Sequence, residues 1–264
     1  MTFGFKIYTL LYYAVRYVMI VVLGLSSMLT GAPNKAQVKV VAHSGYCTAF
    51  LENTESSFIG AVEHGENGIE TDIRFTSDGV AVTWHDGDIT FTDGTKMVVS
   101  QHTYQELTSK PIANPINGET VYLCTLERYF EICQKYNMVC FLDLKADFTD
   151  ENVRYMMEMG RRVYNLDNII PQSSNVENLK KIRKQYPDQK LMLTYGRNQF
   201  EDKLDYSVCF EYGFGIDCDV TVISQHMIRQ FRERNLEVAV FTCNTKTEQN
   251  YAYALGVDYM ETDV

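Results

Sequence analysis

Residues 139–173, VCFLDLKADFTDENVRYMMEMGRRVYNLDNIIPQS, decide the fold. Val139 to Leu144 is an apolar run interrupted by one acid, Asp143, and reads as a strand buried on both faces. Helical periodicity follows over 150–165, and a second strand-like run over 168–173. Downstream the alternation continues, with helix at 175–186 and strand at 191–194. Strands are then predicted near 213–218, 237–243 and 257–262, with helices at 223–235 and 246–255 between them. Upstream, Val38 to Ala42 is a short β-rich run, and Glu52-Asn53-Thr54 opens a helical stretch with Phe58, Ala61 and Val62 on one face. Gly68 to Phe75 and Val80 to Trp84 read as strands joined by the turn Ser77-Asp78-Gly79, and 126–136 is helical by period. Strand–helix alternation over this length means a parallel α/β sheet, and a (β/α)8 TIM barrel fits it best. Nine strand candidates compete for eight barrel places, the excess lying within 68–86.

The chain has 264 residues, 45% of them hydrophobic, enough for one large domain. Its formal net charge is -10 and it has no basic run with interleaved aromatics, so nucleic acid is not an expected partner. No G-x-G-x-x-G or G-x-x-x-x-G-K word supports a nucleotide-binding fold. The seven cysteines include no C-x-x-C pair, which argues against structural zinc. Cys140, Cys218 and Cys243 fall in apolar runs and read as small core residues. Cys124–Cys133 is a candidate local bridge if the domain is exported.

Residues 1–33 read as a signal peptide or membrane anchor. Lys6 and Arg16 precede the apolar run Tyr17 to Leu29, which has signal-peptide length and falls short of the roughly 20 residues of a spanning helix. Small residues and Pro33 follow. An uncleaved anchor starting near Ile7 is the competing reading, and an ordinary buried helix the third. Either of the first two places the domain outside the cytoplasm, secreted or membrane-anchored. The domain itself spans 38–264. Within it, 87–120 is polar, rich in Gly, Thr, Asn and Pro, and too long for a plain loop, so it is read as a small insertion after the His-Asp strand.

The chemistry lies at strand ends. Glu70 and Asp72 are two apart, so on a strand both carboxylates share a face and repel unless a cation lies between them. Asp143 is an acid in an apolar strand, and Lys145 lies on its face as a partner for it or for a phosphate. His43 and His85 each follow a strand. Taken singly, each of these residues has an ordinary structural explanation: a solvated strand face, a salt bridge, a packed imidazole. Together, two imidazoles and three carboxylates suit one divalent metal ion with oxygen ligands, Mg²⁺ or Ca²⁺, beside an acid/base pair. The acidic chain would then acquire the local positive centre that an anionic phosphodiester requires.

The words His43-Ser44-Gly45, Glu52-Asn53-Thr54, Glu70-Thr71-Asp72, Thr76-Ser77-Asp78-Gly79, His85-Asp86 and Asp143-Leu144-Lys145 are similar, in order and spacing, to those of the glycerophosphodiester phosphodiesterase family. Gln172-Ser173, Phe241-Thr242-Cys243-Asn244, Gly256-Val257-Asp258 and Thr262-Asp263 extend the resemblance over about 38–264. It implies a (β/α)8 barrel with an insertion after the His-Asp strand. It implies Glu70, Asp72 and Asp143 as metal ligands and His43 and His85 as general acid and base. It implies Lys145 on the phosphate, Asn53 on the metal or phosphate, and Phe241 in a pocket wall. The expected substrate is a small-molecule glycerophosphodiester or a lipid headgroup, hydrolysed to glycerol phosphate and an alcohol. A phospholipase D-like lyase releasing a cyclic phosphate, and a non-catalytic phosphodiester-binding barrel, are the alternatives. Membrane contact would come through the N-terminal segment. Three positions depart from the family pattern: Ser44 where Arg is usual, Asp143 where Glu is usual, and Phe241 where Trp is usual. A hydroxyl does not replace a guanidinium fork on phosphate.

Overall fold

The computed structural model describes residues 14–15, 17–22, 35–196 and 205–263. Most of the 1–33 segment therefore lies outside the described residues, and with it the signal or anchor expected there. Residues 17–22 are helical, with Ile20 buried and Tyr17, Val18, Met19 and Val22 exposed. Among the described residues, no helix is long and apolar enough to cross a membrane.

Two compact units make up the chain. The larger comprises Val41–Met192 with Asp263–Val264. In it, β1 (Lys39–Ala42) is followed by α1 (Glu55–His64), β2 (Gly68–Phe75) and β3 (Ala81–Thr83). The hairpin strands β4 (Asp88–Thr90) and β5 (Lys96–Val98) come next, then α2 (Tyr104–Leu107), β6 (Cys124–Thr125) and α3 (Leu126–Tyr136). β7 (Val139–Leu144), α4 (Asp150–Val163), β8 (Ile169–Ser173) and α5 (Val176–Gln185) complete it. Val41 and Ala42 pair in parallel with Gly68 and Ile69, β2 pairs in parallel with β7, and β7 with β8. Gly68 allows the β2–β7 approach, because a Cβ there would lie 2.8 Å from the Val139 carbonyl oxygen.

β3 is the surplus strand. It runs antiparallel to β2, and β6 runs antiparallel to β3. The expected insertion has a core of its own, in which Trp84, Ile89, Phe91, Leu107, Ile112 and Leu123 pack together. The β4–β5 hairpin inside it was not legible in its polar composition.

The smaller unit, Met1–Val40 with Leu193–Thr262, carries β9 (Met192–Tyr195), α6 (Ser207–Tyr212), β10 (Gly215–Asp219) and α7 (Gln225–Arg232). It continues with β11 (Val238–Phe241), α8 (Lys246–Leu255) and β12 (Tyr259–Thr262). β10, β11 and β12 are consecutive parallel strands. Helix α6 has no counterpart in the sequence reading: it is a short element, Ser207–Tyr212, too brief for helical periodicity to declare itself. With β1, β2, β7 and β8 to β12 as the eight parallel strands, separated by helices, the fold is a (β/α)8 barrel.

Each helix of the larger unit starts where the sequence offers a cap. Thr54 and Ser57 form a reciprocal capping box at α1, and Thr149 with Asn152 does so at α4. Tyr129 of α3 donates to the Ile69 carbonyl at 2.6 Å and ties that helix to β2. All seven cysteines are free. Cys133 lies against Cys140 and not against Cys124, whose thiol donates to the Thr125 carbonyl. The local bridge considered for Cys124–Cys133 is therefore not formed, since helix α3 turns Cys133 toward β7.

Thr54 both caps α1 and donates to the Leu51 carbonyl at 2.6 Å. Thr54→Ala is expected to lower unfolding free energy by about 1–2 kcal/mol, read from the urea midpoint.

Candidate active site

The β2–β7 register places Asp72 directly beside Asp143, and Glu70 precedes Asp72 by two residues on the same face. The three carboxylates are buried, and one oxygen from each lies within 4.8 Å of the others. Burial is the main reason that the Glu70 carboxyl is pushed up to about 8; neighbouring Asp72 pushes in the same direction, while His43 opposes it. Asp143 is also raised, chiefly by burial, against the pull of Lys145.

Lys145 reaches between the strands. Its Nζ is 2.7 Å from Asp143 Oδ2 and 3.0 Å from Asp72 Oδ1. Burial by itself would lower the ammonium pKa, but Asp143, Asp72 and Glu70 outweigh it and hold Lys145 well above its ordinary value. The residue predicted for the phosphate thus has its charge engaged with two of the predicted metal ligands. The loop that carries it is pinned from behind. Ser173 donates to the Leu144 carbonyl at 3.2 Å, and Asn178 both donates to Ala146 O at 2.7 Å and accepts from Phe148 N–H at 2.9 Å.

Asn53 is turned inward and organises Asp72. Its amide Nδ2 donates to Asp72 Oδ2 at 2.7 Å. Its Oδ1 accepts from the Asp72 backbone N–H at 2.9 Å and from the Thr71 hydroxyl at 2.7 Å. The backbone there has φ 58°, a left-handed conformation that Asn tolerates, and the α1 capping box begins one residue later.

Ser44 also faces inward. Its N–H donates to Glu70 Oε2 at 2.8 Å, and its hydroxyl lies 3.4 Å from both Glu70 Oε2 and Asp72 Oδ2. Ser44 is left-handed at φ 55° and Gly45 at φ 82°. A Cβ on Gly45 would lie 2.8 Å from the Ser57 carbonyl carbon, so that position requires glycine. Where the family pattern has a long cation, this chain has a short side chain folded into the acid cluster.

The donor set fits a hard cation. It is all oxygen, and its spread matches two metal–oxygen bonds of about 2.0–2.6 Å each.

Both histidines are oriented through Nδ1. His43 Nδ1 is 2.8 Å from Asp263 Oδ1, and His85 Nδ1 is 2.8 Å from Asp86 Oδ1. A carboxylate on Nδ1 favours the tautomer that presents Nε2 as the acceptor. Glu52 lies in the field of both rings: burial and Asp72 raise its carboxyl pKa, and His85 and His43 oppose them. Asp86, Asp263 and Glu52 belong to words quoted from the sequence, yet no functional role could be read for them there, because contact with an imidazole 220 residues away, as for Asp263, has no local signal. Arg74 is a further residue that the sequence did not single out: its Nε and Nη2 donate to the His85 carbonyl at 2.9 and 2.6 Å. Phe241 ends β11 in the smaller unit, half-buried, and its carbonyl accepts the Val220 N–H at 2.8 Å.

In a (β/α)8 barrel, acids and histidines at strand ends lie where enzymes of this fold build their active sites. A family profile described as "Glycerophosphoryl diester phosphodiesterase family" matches residues 43–264, and the chain belongs to that family. The chain is an enzyme of that phosphodiesterase class. Mouse (Mus musculus) glycerophosphodiester phosphodiesterase 1 is 25% identical over 260 residues, covering 85% of this chain and 77% of its own. A glycerophosphodiester phosphodiesterase structure from Parabacteroides distasonis superposes with a TM-score of 0.70 at 26% identity, covering 86% of this chain and 93% of that one. A phosphodiesterase from Oleispira antarctica, solved in complex with the product sn-glycerol-3-phosphate, has the same fold with a TM-score of 0.76 at 19% identity, covering 86% and 94%.

Because Glu70 has its pKa raised from 4.5 to about 8, the folded chain binds a proton there more tightly than the unfolded chain does. That contribution to stability is full below about pH 4.5 and is lost as the pH rises through about 8; Asp143 acts in the same sense. In chelator, the melting temperature is expected to fall between those two pH values, and an added divalent cation to flatten the slope. Differential scanning calorimetry across the pH range measures both.

Proposed function

We propose that the chain hydrolyses glycerophosphodiesters to glycerol phosphate and an alcohol in a metal-dependent reaction, with His43 and His85 as general acid and base. The observation that supports this most is the buried set Glu70, Asp72 and Asp143. Three acids this close are strongly destabilised against one another, and a single lysine does not balance them. Glu70, Asp72 and Asp143 would hold a divalent cation, which would supply positive charge for the anionic phosphodiester.

The protein's own residues do the remainder. One imidazole takes the proton of the attacking hydroxyl at Nε2, and the other delivers a proton to the leaving alkoxide. Asp263 and Asp86 hold the two rings and stabilise whichever is protonated. Lys145 pairs with both Asp72 and Asp143 and holds the two carboxylates in place. Asn53 holds the Asp72 carboxylate at Oδ2, and Lys145 pairs with it at Oδ1. The substrate assignment draws on family membership, and the product bound by the Oleispira antarctica protein is one that this reaction would release. A location outside the cytoplasm is proposed from the apolar run at 17–29 alone.

Chelation is expected to abolish hydrolysis of a glycerophosphodiester, with Mg²⁺ or Ca²⁺ restoring it. His43→Ala and His85→Ala are each expected to lower kcat about 100-fold or more. Activity surviving chelator and His43→Ala together would overturn the reading. Phosphorus NMR of the products tests the route: glycerol phosphate supports hydrolysis, whereas a persistent cyclic phosphate would establish a lyase.

A further inference from the structure

His85 is the second residue beyond β3, after Trp84, and its backbone is anchored on two sides. On one, the preceding Trp84 N–H donates to Asp72 O at 2.9 Å, the last bond that continues the β2–β3 ladder. On the other, the Arg74 fork closes on the His85 carbonyl at 2.9 and 2.6 Å. After it come Asp86, exposed, and Gly87, which reconnects to the protein through its carbonyl to Val99 N–H at 2.9 Å. The imidazole itself is half exposed, with 51% of its side chain accessible, so packing does not fix it. Its Nδ1 partner Asp86 is 70% exposed and offers a weak restraint.

From this geometry we infer that Arg74 is the positioning residue for His85: its guanidinium locks the carbonyl from which the catalytic ring is suspended. The inference rests on the proposed role of His85. The sequence places Arg74 for the task. It follows Asp72 by two on β2 and therefore shares the face of Glu70 and Asp72. It lies in the field of Asp72, Asp86 and Asp143, which holds the guanidinium toward the site. Only a planar fork can give two parallel donors to one backbone oxygen from this distance; a lysine ammonium gives one. The fork edge used on His85 is then not available to a phosphate, so this arginine does not stand in for the one missing at Ser44. The charged groups facing His85 are Asp86, Glu52 and Arg74 itself.

The test is a double-mutant cycle on the full chain with bound metal, using Arg74→Met, Arg74→Lys and His85→Ala on a glycerophosphodiester with an unactivated alcohol as leaving group, whose departure requires the general acid as well as the base. Arg74→Met is expected to lower kcat about 10- to 100-fold with KM little changed, since a misplaced catalytic ring loses rate without losing binding. Arg74→Lys should recover part of it. In the His85→Ala background, Arg74→Met should have no further effect, and metal affinity by calorimetry should be unchanged throughout. Independent, multiplying losses in that background, or a rise in KM as the main effect, would overturn the inference and make Arg74 a substrate ligand or a structural residue. If Arg74→Met fails to fold by circular dichroism, Arg74→Lys carries the same cycle. A wild-type rate in His85→Ala alone would instead refute the proposed role of His85.

Discussion

Mutual repulsion among Glu70, Asp72 and Asp143 is the constraint on which the site depends. Parallel pairing of β2 with β7 puts Asp72 and Asp143 side by side, and strand alternation turns Glu70 to the same face. Water would ordinarily screen such a group, but all three carboxylates are buried. What keeps them together in the protein is a layer of donors: Lys145 on Asp72 and Asp143, Asn53 on Asp72, and the Ser44 N–H on Glu70. Three carboxylates against one lysine leave a cluster that could hold a metal ion.

Much of the surrounding backbone serves to deliver those donors. The turn His43-Ser44-Gly45 goes left-handed so that Ser44 points its amide at Glu70. Asn53 goes left-handed immediately before the α1 cap, and both bends depend on contacts between segments, such as Asn53 N–H to Ser44 O at 2.9 Å. Backbone strain of about 1–3 kcal/mol at such positions persists where neighbouring bonds over-determine it. Ser44 takes on meaning in this setting. A side chain small enough to fold into the acid cluster occupies the position at which the family pattern carries an arginine.

The regular elements were legible because each carries a local period. β7, α4, β8, α5 and α8 lie within two residues of where apolar spacing placed them. The carboxylates were legible too, since acids at i and i+2 in a strand share a face whatever the fold. Less was readable where the determinant is an interaction between segments. Residues 87–120 read as a polar insertion without strands, yet they contain the β4–β5 hairpin and share a small core with Trp84. Arg74 carried no signal in the sequence, because its contact with the His85 carbonyl exists only once β3 has folded back on β2. Asn53 was expected at the metal or phosphate, and its amide is engaged with Asp72 and Thr71.

The sequence by itself determined the residue types, their order and the strand or helix each sits on, because hydrophobic period and capping act over a few residues. From these follow the barrel class, the shared face of Glu70 and Asp72, and the presence of two histidines at strand ends. Tertiary structure decided the partners. That Asp72 meets Asp143, that Lys145 spans them, that Asp263 holds His43 and that Arg74 holds the His85 backbone are consequences of strand register and chain return. The two imidazoles and three carboxylates are thereby divided into a buried acid cluster and two partly exposed rings, each with an aspartate on Nδ1. Register and chain return have no local signature, since they are fixed by the packing of segments far apart in the chain.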